Sequence, residues 1–166
     1  MLRRRLFFAP AAALALGACG FQLRGAPDLA FTSVFVNVAE SSGLGAELKR
    51  NLGALGALQV LGAPAPQADA QVVLEILSEQ REKTVVGVST TGQVREFQLR
   101  VRIRFRLRTP QGRELIPDTE LLQQRDFSFN ESAALAKEAE EGLMYRDMQS
   151  DIVRQLVRRL AAVRSL

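Results

Sequence analysis

Histidine and tryptophan are absent from the 166 residues, and Cys19 is the single cysteine. Without histidine, a Ser-His-Asp or Cys-His nucleophile system cannot be built. One cysteine permits no intrachain disulfide and leaves no Cys/His set for a metal ion. Paired carboxylates are formally possible catalysts, but no acidic residue lies in a recognisable catalytic motif, and there is no glycine-rich phosphate loop. We therefore expect no enzymatic activity and no cofactor.

The first 18 residues have the pattern of an export signal. Three arginines at positions 3–5 precede an apolar stretch of 11 residues at 6–16. A helix that spans a bilayer needs about 20 such residues, so this stretch is too short and instead fits the apolar region of a signal peptide. The small residues Gly17 and Ala18 then lead directly to Cys19.

The segment LGAC, which ends at Cys19, resembles the lipobox of bacterial lipoproteins. The resemblance implies that 1–18 is removed, that diacylglycerol alkylates the Cys19 thiol, and that a further fatty acyl chain such as palmitate is added to the new amine. More than one chain would anchor the protein firmly. Gly20, where enterobacterial lipoproteins retained at the inner membrane have Asp, implies the periplasmic side of the outer membrane. The alternative is an ordinary signal peptide with an incidental cysteine.

The basic charge of the chain depends largely on this N-terminal segment. The formal net charge is +4, which by itself would suggest a nucleic-acid partner. Loss of the three arginines at 3–5 leaves 19 of the 22 basic residues against 18 acidic ones. The mature chain is thus close to neutral, and we expect no nucleic-acid binding.

After a lipidated lead-in at 19–31, we expect one domain at 32–166. Its periodicities of two and 3.6 residues predict strands and helices in a simple order. The predicted elements are a strand at 32–39, a helix within 40–56, an optional short strand at 58–61, a strand from 72 past 80, a strand at 93–109, a strand interrupted near Pro117 and better formed at 121–129, and a helix at 132–163. The order β-α-β-β-β-α predicts an α+β fold with a four-stranded mixed or antiparallel sheet covered on one face by two helices.

The long C-terminal helix is amphipathic, and a membrane-surface helix would have a similar pattern. We favour packing against the sheet, because the sheet needs a cover for its apolar face.

The stretch LRVRIRFRLR at 99–108 alternates without interruption between apolar residues and arginine. Side chains of a strand alternate between faces, so one face would be apolar and the other would carry guanidinium groups about 6.6 Å apart. We call these residues the arginine row: Arg100, Arg102, Arg104, Arg106 and Arg108.

Three stretches together resemble the LptE family of lipopolysaccharide-assembly lipoproteins. They are CGFQLRG at 19–25, TGQVREFQLRVRIRFRL at 91–107, and ALAKEAEEGLMYRDMQSDIVRQLVRRL at 134–160. The resemblance implies a small sandwich of two helices on a four-stranded sheet. It also implies a plug within the outer-membrane β-barrel LptD that helps the barrel assemble, binds lipopolysaccharide and helps place it in the outer leaflet. The alternative is another outer-membrane lipoprotein, such as an auxiliary binding subunit of a phospholipid transport system.

Three interpretations of the arginine row stay open. The arginines could pair with acidic residues of neighbouring strands, where each pair contributes only about 0.2–1 kcal/mol. They could bind phosphates and carboxylates of lipopolysaccharide, or face the polar lumen of the barrel. Arg102, Arg104 and Arg106 are central in the row and are expected to contribute most. The candidate acidic partners are Glu75, Glu79, Glu96, Glu114, Glu120 and Asp126.

Overall fold

The computed structural model describes residues 28–166, which form a five-stranded sheet with two α-helices. The elements are β1 (Ser33–Asn37), α1 (Gly43–Gly53), β2 (Gln59–Leu61), β3 (Val72–Val88), β4 (Val94–Arg108), β5 (Glu114–Ser128) and α2 (Ala134–Ala161). Single 3₁₀ turns lie at Gln67–Asp69 and Glu131–Ala133. None of the helices in this part of the chain is long and apolar enough to cross a membrane.

The sheet has the strand order β2-β1-β3-β4-β5. β1 is parallel to both β2 and β3, whereas β3, β4 and β5 form an antiparallel meander. The α+β class and the mixed sheet with two helices are confirmed, but the prediction of four strands is wrong. The fifth strand is β2, whose three residues pair with Ser33 to Phe35 after α1 has returned the chain to the start of β1. So short a strand has no reliable periodicity of its own.

β5 also differs from its prediction near Pro117. The strand begins at Glu114 and continues through this proline, with a shift of register between the partners of Phe105 and Leu107. β5 is the last strand of the sheet, and an edge strand tolerates proline because the missing N–H leaves no internal partner unsatisfied.

Both helices pack on one face of the sheet, and the core lies between these layers. The core side of β4 is fully buried and consists of Leu99, Val101, Ile103, Phe105 and Leu107. The helices contribute residues at helical spacing to the same cluster: Leu44, Leu48 and Leu52 from α1, and Met148, Ile152, Leu156 and Leu160 from α2. Ser42 caps α1, since its side chain accepts a hydrogen bond of 2.9 Å from Gly45 N.

The opposite face of the sheet carries no helix, and we call it the open face. At the end of the sheet where β3 begins, a small cluster of Phe35, Ala70 and Val73 is buried on this face, with Leu61 against it. The 3₁₀ turn immediately before Ala70 lies at this end. The rest of the open face carries mainly polar residues of β3, β4 and β5.

Candidate functional site

The arginine row lies on the open face, as the alternation of β4 requires. Each of the first four arginines sits between two residues that are completely buried on the core side, so the backbone of β4 is fixed by packing. The guanidinium groups are partly exposed, and side-chain exposure ranges from 21% at Arg108 to 52% at Arg104. A rigid strand thus presents five cationic side chains on one surface.

Two arginines of the row share one carboxylate. Glu75 on β3 is opposite Arg106 in the strand register, and its side chain is only 10% exposed. Arg106 Nε donates to Glu75 Oε2, and Arg108 Nη2 donates to Glu75 Oε1 at 2.9 Å. Arg108 also donates to Gln67 Oε1 at 3.1 Å, which ties the 3₁₀ turn to the sheet.

These contacts favour the charged form of Glu75. Its hydrogen bonds with Arg108 lower the pKa of the carboxyl; burial opposes this effect, and Arg106 adds to the lowering. The hydrogen bond and charge of Glu75 correspondingly raise the pKa of Arg106. Since Glu75 is buried and accepts from both guanidinium groups, this end of the arginine row is held in place.

The other three arginines have more exposed partners. Arg104 makes a two-pronged contact with Asp118, and its Nε lies 3.1 Å from Asp118 Oδ1. The Arg102 Nε–Glu120 Oε1 distance is 3.8 Å and the Arg100 Nη1–Glu82 Oε2 distance is 4.0 Å, both beyond hydrogen-bonding range. Within the described residues, the buried Nε of Arg102 has no hydrogen-bond partner. Exposed pairs of this kind contribute little and can exchange partners.

Every arginine of the row therefore has a carboxylate within 4.0 Å, as the pairing interpretation expects. Of the six candidate acidic residues, Glu75 and Glu120 are among the partners. Glu79 instead accepts from Ser42 at the start of α1. Sequence reasoning missed Glu82 and Asp118. Only the pairing of residues between neighbouring strands identifies these two partners, and the sequence does not give that pairing directly.

A second polar feature lies where α2 begins, beside the distal part of β3. A cleft of about 310 Å³ is lined by Lys83, Phe129, Ala134, Lys137, Glu138 and Glu141. Lys83 Nζ is 2.5 Å from Glu141 Oε2, and Lys137 Nζ is 2.9 Å from Glu140 Oε2. Each lysine also lies over a phenylalanine ring, so both are engaged within the protein. No pattern in the sequence indicated this cleft.

Cys19 and the expected signal segment at 1–18 lie outside the described residues. Within residues 28–166, no group of three or more potential acidic, histidine or cysteine ligands is arranged to hold a metal ion. The candidate site is a charged sheet surface formed by the arginine row and its carboxylate partners.

This fold belongs to a class of small bacterial lipoproteins. An uncharacterized lipoprotein B from Nitrosomonas europaea is similar over 86% of this chain and 91% of that one, with 32% identity and a TM-score of 0.73. Rare lipoprotein B from Shewanella oneidensis covers 78% of this chain and 94% of its own, with 21% identity and a TM-score of 0.65. A minor lipoprotein from Acinetobacter baumannii covers 81% and 94%, at 21% identity and a TM-score of 0.64.

The family model described as LptE, lipopolysaccharide-assembly, matches residues 31–160. The chain belongs to the LptE family. The match includes every strand, almost all of both helices and the whole arginine row. No match was found among curated proteins. The chain is therefore an envelope lipoprotein of a lipopolysaccharide-assembly family.

Proposed function

We propose that the mature chain is an outer-membrane lipoprotein that forms a complex with an LptD-like β-barrel. Residues 1–18 are the signal peptide, and Cys19 is the lipidated first residue, held by fatty acyl chains on the periplasmic side. Residues 19–31 are the lead-in to a single domain at 32–166. The protein acts as plug and assembly partner of the barrel, helps insert lipopolysaccharide into the outer leaflet, and catalyses no reaction. Family membership supports this proposal.

The open face is the structural observation that carries the proposal. One side of the sheet is covered by both helices, while the other presents the arginine row and its carboxylates. Barrel interiors are polar, so a plug needs a charged surface that keeps its hydrogen bonds when it leaves bulk water. An apolar sheet face would be incompatible with such a lumen.

The arginine row divides into two parts that differ in availability. Arg106 and Arg108 are held by the buried Glu75, whereas Arg102 and Arg104 pair with carboxylates of the edge strand. A phosphate of lipopolysaccharide can replace an exposed carboxylate, because a guanidinium fork binds either group bidentately. Arg106 therefore belongs with Arg108 to the arginines that Glu75 holds in place. We expect Arg102 and Arg104 to contribute most to the binding of lipopolysaccharide.

Affinity capture through a C-terminal tag tests the partnership. Residues beyond Ala161 lie outside α2, and the last three are exposed, so a tag there leaves the core intact. We expect co-purification of an outer-membrane barrel from a detergent extract, and its loss when Cys19 is replaced by Ala. Recovery of phospholipid-transporter subunits, or of no partner, would contradict the proposal.

Charge reversal tests the role of the arginine row. Replacing Arg102 and Arg104 by Glu should weaken binding of purified lipopolysaccharide. The matched control replaces Arg158 and Arg159, two exposed arginines on α2 outside the open face, by Glu. Both variants change the net charge equally, so an equal loss of binding would indicate nonspecific charge attraction. Unchanged binding and unchanged barrel capture in the first variant would leave internal pairing as the role of these arginines.

A further inference from the structure

The long helix α2 ends at the end of the sheet where β1 and β3 begin. Near its start, Glu141 contacts Lys83 in the distal part of β3. Two turns later, Gln149 Oε1 accepts from Arg81 Nη2 at 2.7 Å, so α2 runs antiparallel to β3. From Gln149 the helix continues to Ala161, about 18 Å at 1.5 Å per residue. Its last turns therefore lie near the start of β3.

The shorter helix α1 has the same direction and ends at the same place. Ser42, which caps its start, donates to Glu79 Oε2 in the middle of β3 at 2.7 Å. After α1 ends, Gln59 N donates to Thr32 O at 2.8 Å, immediately before β1. The C-terminal ends of both helices thus meet at one end of the domain, on the core side of the sheet.

Exposed arginines are concentrated where the two helices end. They lie in the last turn of α1, in the last turn of α2 and just after α2, and we call them the basic end: Arg50, Arg158, Arg159 and Arg164. Among residues 28–166, no carboxylate lies within 4.0 Å of any of these four, in contrast to the arginine row. A helix C-terminus carries only about half a negative charge, so the two helix ends offset about one of the four positive charges. The basic end thus has an unneutralised positive charge.

The chain from Cys19 reaches the domain at this same end. Asp28, the first described residue, lines a mainly apolar cleft of about 170 Å³ with Leu29, Leu55 and Ala57. The nine positions from Cys19 to Asp28 span at most about 30 Å. By contrast, the 17 residues of β3 extend roughly 50 Å from this end to the turn before β4. The basic end is therefore the part of the domain nearest to the proposed lipid anchor.

We propose that the basic end docks on the anionic phospholipid surface of the leaflet that holds Cys19. This inference rests on the lipid anchor of the proposed function. Basic side chains beside apolar ones suit a membrane surface, and each arginine near an anionic leaflet strengthens binding about fivefold. The anchor makes the contact intramolecular, so a weak attraction is sufficient to keep this end docked.

Docking orients the lipoprotein before the barrel takes it up. β3 and the arginine row then extend away from the leaflet, and the open face stays accessible to the barrel. Inside the barrel, the basic end faces the periplasmic opening, on the side of the anchor. The docked form and the plug therefore have the same orientation relative to the membrane.

Fluorescence quenching of the lipidated chain in vesicles tests the docking. A maleimide fluorophore is attached to one introduced cysteine, since the acylated thiol of Cys19 does not react. Ala57→Cys and Ala162→Cys place the label at the two helix ends, and Thr91→Cys places it in the distal turn before β4; all three positions are exposed. In vesicles of equal parts phosphatidylglycerol and phosphatidylcholine, nitroxide-labelled headgroups should quench the first two labels but not the third. Phosphatidylcholine alone, or high salt, should remove most of this quenching.

Neutral variants of equal charge separate the basic end from general attraction. Arg158→Gln combined with Arg159→Gln removes two positive charges and should lower the ratio of docked to undocked chains about 25-fold. The control combines Arg95→Gln with Arg146→Gln, two exposed arginines away from the helix ends, and should leave this ratio unchanged. Urea unfolding of each variant shows that the fold is retained.

Two results would overturn the docking and leave the lipid anchor intact. One is equal quenching at the helix ends in both kinds of vesicle, which the tether alone would produce. The other is an equal loss of quenching in the two double variants. Reaction of the maleimide with Cys19 of the native chain would instead overturn the anchor and the docking together.

Discussion

Replacement of Glu75 by Gln should destabilise the fold far more than the matched replacement of Asp118 by Asn. Both changes remove one charge and preserve side-chain shape. Glu75 is 10% exposed and accepts from Arg106 and Arg108, whereas Asp118 is 39% exposed and pairs with Arg104 alone. The amide introduced by Glu75→Gln would turn an N–H group toward two cations that it can no longer neutralise.

The structure sets the expected magnitudes. Hydrogen bonds to charged groups contribute about 1.5–3 kcal/mol, but Arg106 is 39% exposed, so solvent screens part of this energy. We expect Glu75→Gln to lower the free energy of unfolding by about 2 kcal/mol, and Asp118→Asn by about 0.5 kcal/mol. In a domain of this size, a loss of about 2 kcal/mol corresponds to a decrease in Tm of about 7 °C.

Urea unfolding of the soluble form, made without residues 1–19, measures both differences. Because the pKa of Glu75 is lowered in the folded state, the stability it contributes is present above its unfolded pKa, near 4.5. That contribution is lost as the pH falls through the lower, folded pKa. The difference between the native chain and Glu75→Gln should therefore be constant near neutral pH and shrink in acid. Two results would refute the conclusion that Glu75 holds Arg106 and Arg108 in place. One is equal destabilisation by Glu75→Gln and Asp118→Asn; the other is a stability difference between the native chain and Glu75→Gln that grows in acid.

Two predictions concern packing and can be checked by the same unfolding measurements. Gly45→Ala should cost about 1–3 kcal/mol, since a Cβ there would lie 2.5 Å from Val38 Cγ1, and Val38→Ala should restore much of the loss. Gly142→Ala, also within a helix but with nothing within 4 Å, should instead stabilise by about 0.5–1 kcal/mol; a similar sign for both glycines would contradict this difference in packing. Phe105→Ala empties a fully buried site and should cost about 3–5 kcal/mol; a loss below about 1 kcal/mol would mean that β4 is not central to the core.

The sequence was most informative where one periodicity continued over a long segment. The alternation at 99–108 predicted which face of β4 is buried. The amphipathic pattern of the C-terminal helix predicted that one side of α2 packs against the sheet, and Met148, Ile152 and Leu156 are buried on that side. In both elements a single face supplies nearly all the core contacts. A one-residue slip of β4 would bury five arginines, so the pattern admits only one arrangement.

Elements stabilised by their neighbours were harder to predict. β2 has three residues, and it is a strand because β1 offers it an edge, not because of its own pattern. The break expected at Pro117 assumed that proline ends a strand. At the sheet edge its only cost is a local shift of register, which the chain absorbs.

The acidic partners of the arginine row can be predicted only when the strand register is known. Glu82 lies opposite Arg100 and was missed, while Glu79 was expected on the open face but lies opposite Ile103 and contacts the start of α1. The cause is the register shift between Ile76 and Ser78, which exchanges the faces of the residues that follow. Odd-numbered residues of β3 lie on the open face before the shift, and even-numbered ones lie there from Ser78 to Thr84. A pattern of period two cannot reveal such an irregularity.

Because packing on one face fixes the position of β4, its other face can carry charged side chains that would be unfavourable to bury. The five buried residues of β4 fix its position, so the arginines are not needed to hold the strand in place. Arg106 and Arg108 are neutralised by one buried carboxylate and secure the end of the sheet where β3 begins. Arg102 and Arg104 keep only exposed partners, and these partners stand on the edge strand. Any anion or protein surface that approaches this edge therefore meets guanidinium groups that can change partners without disturbing the core. The division of the row into arginines held by Glu75 and arginines with exposed partners would allow one surface to serve both stability and the binding proposed above.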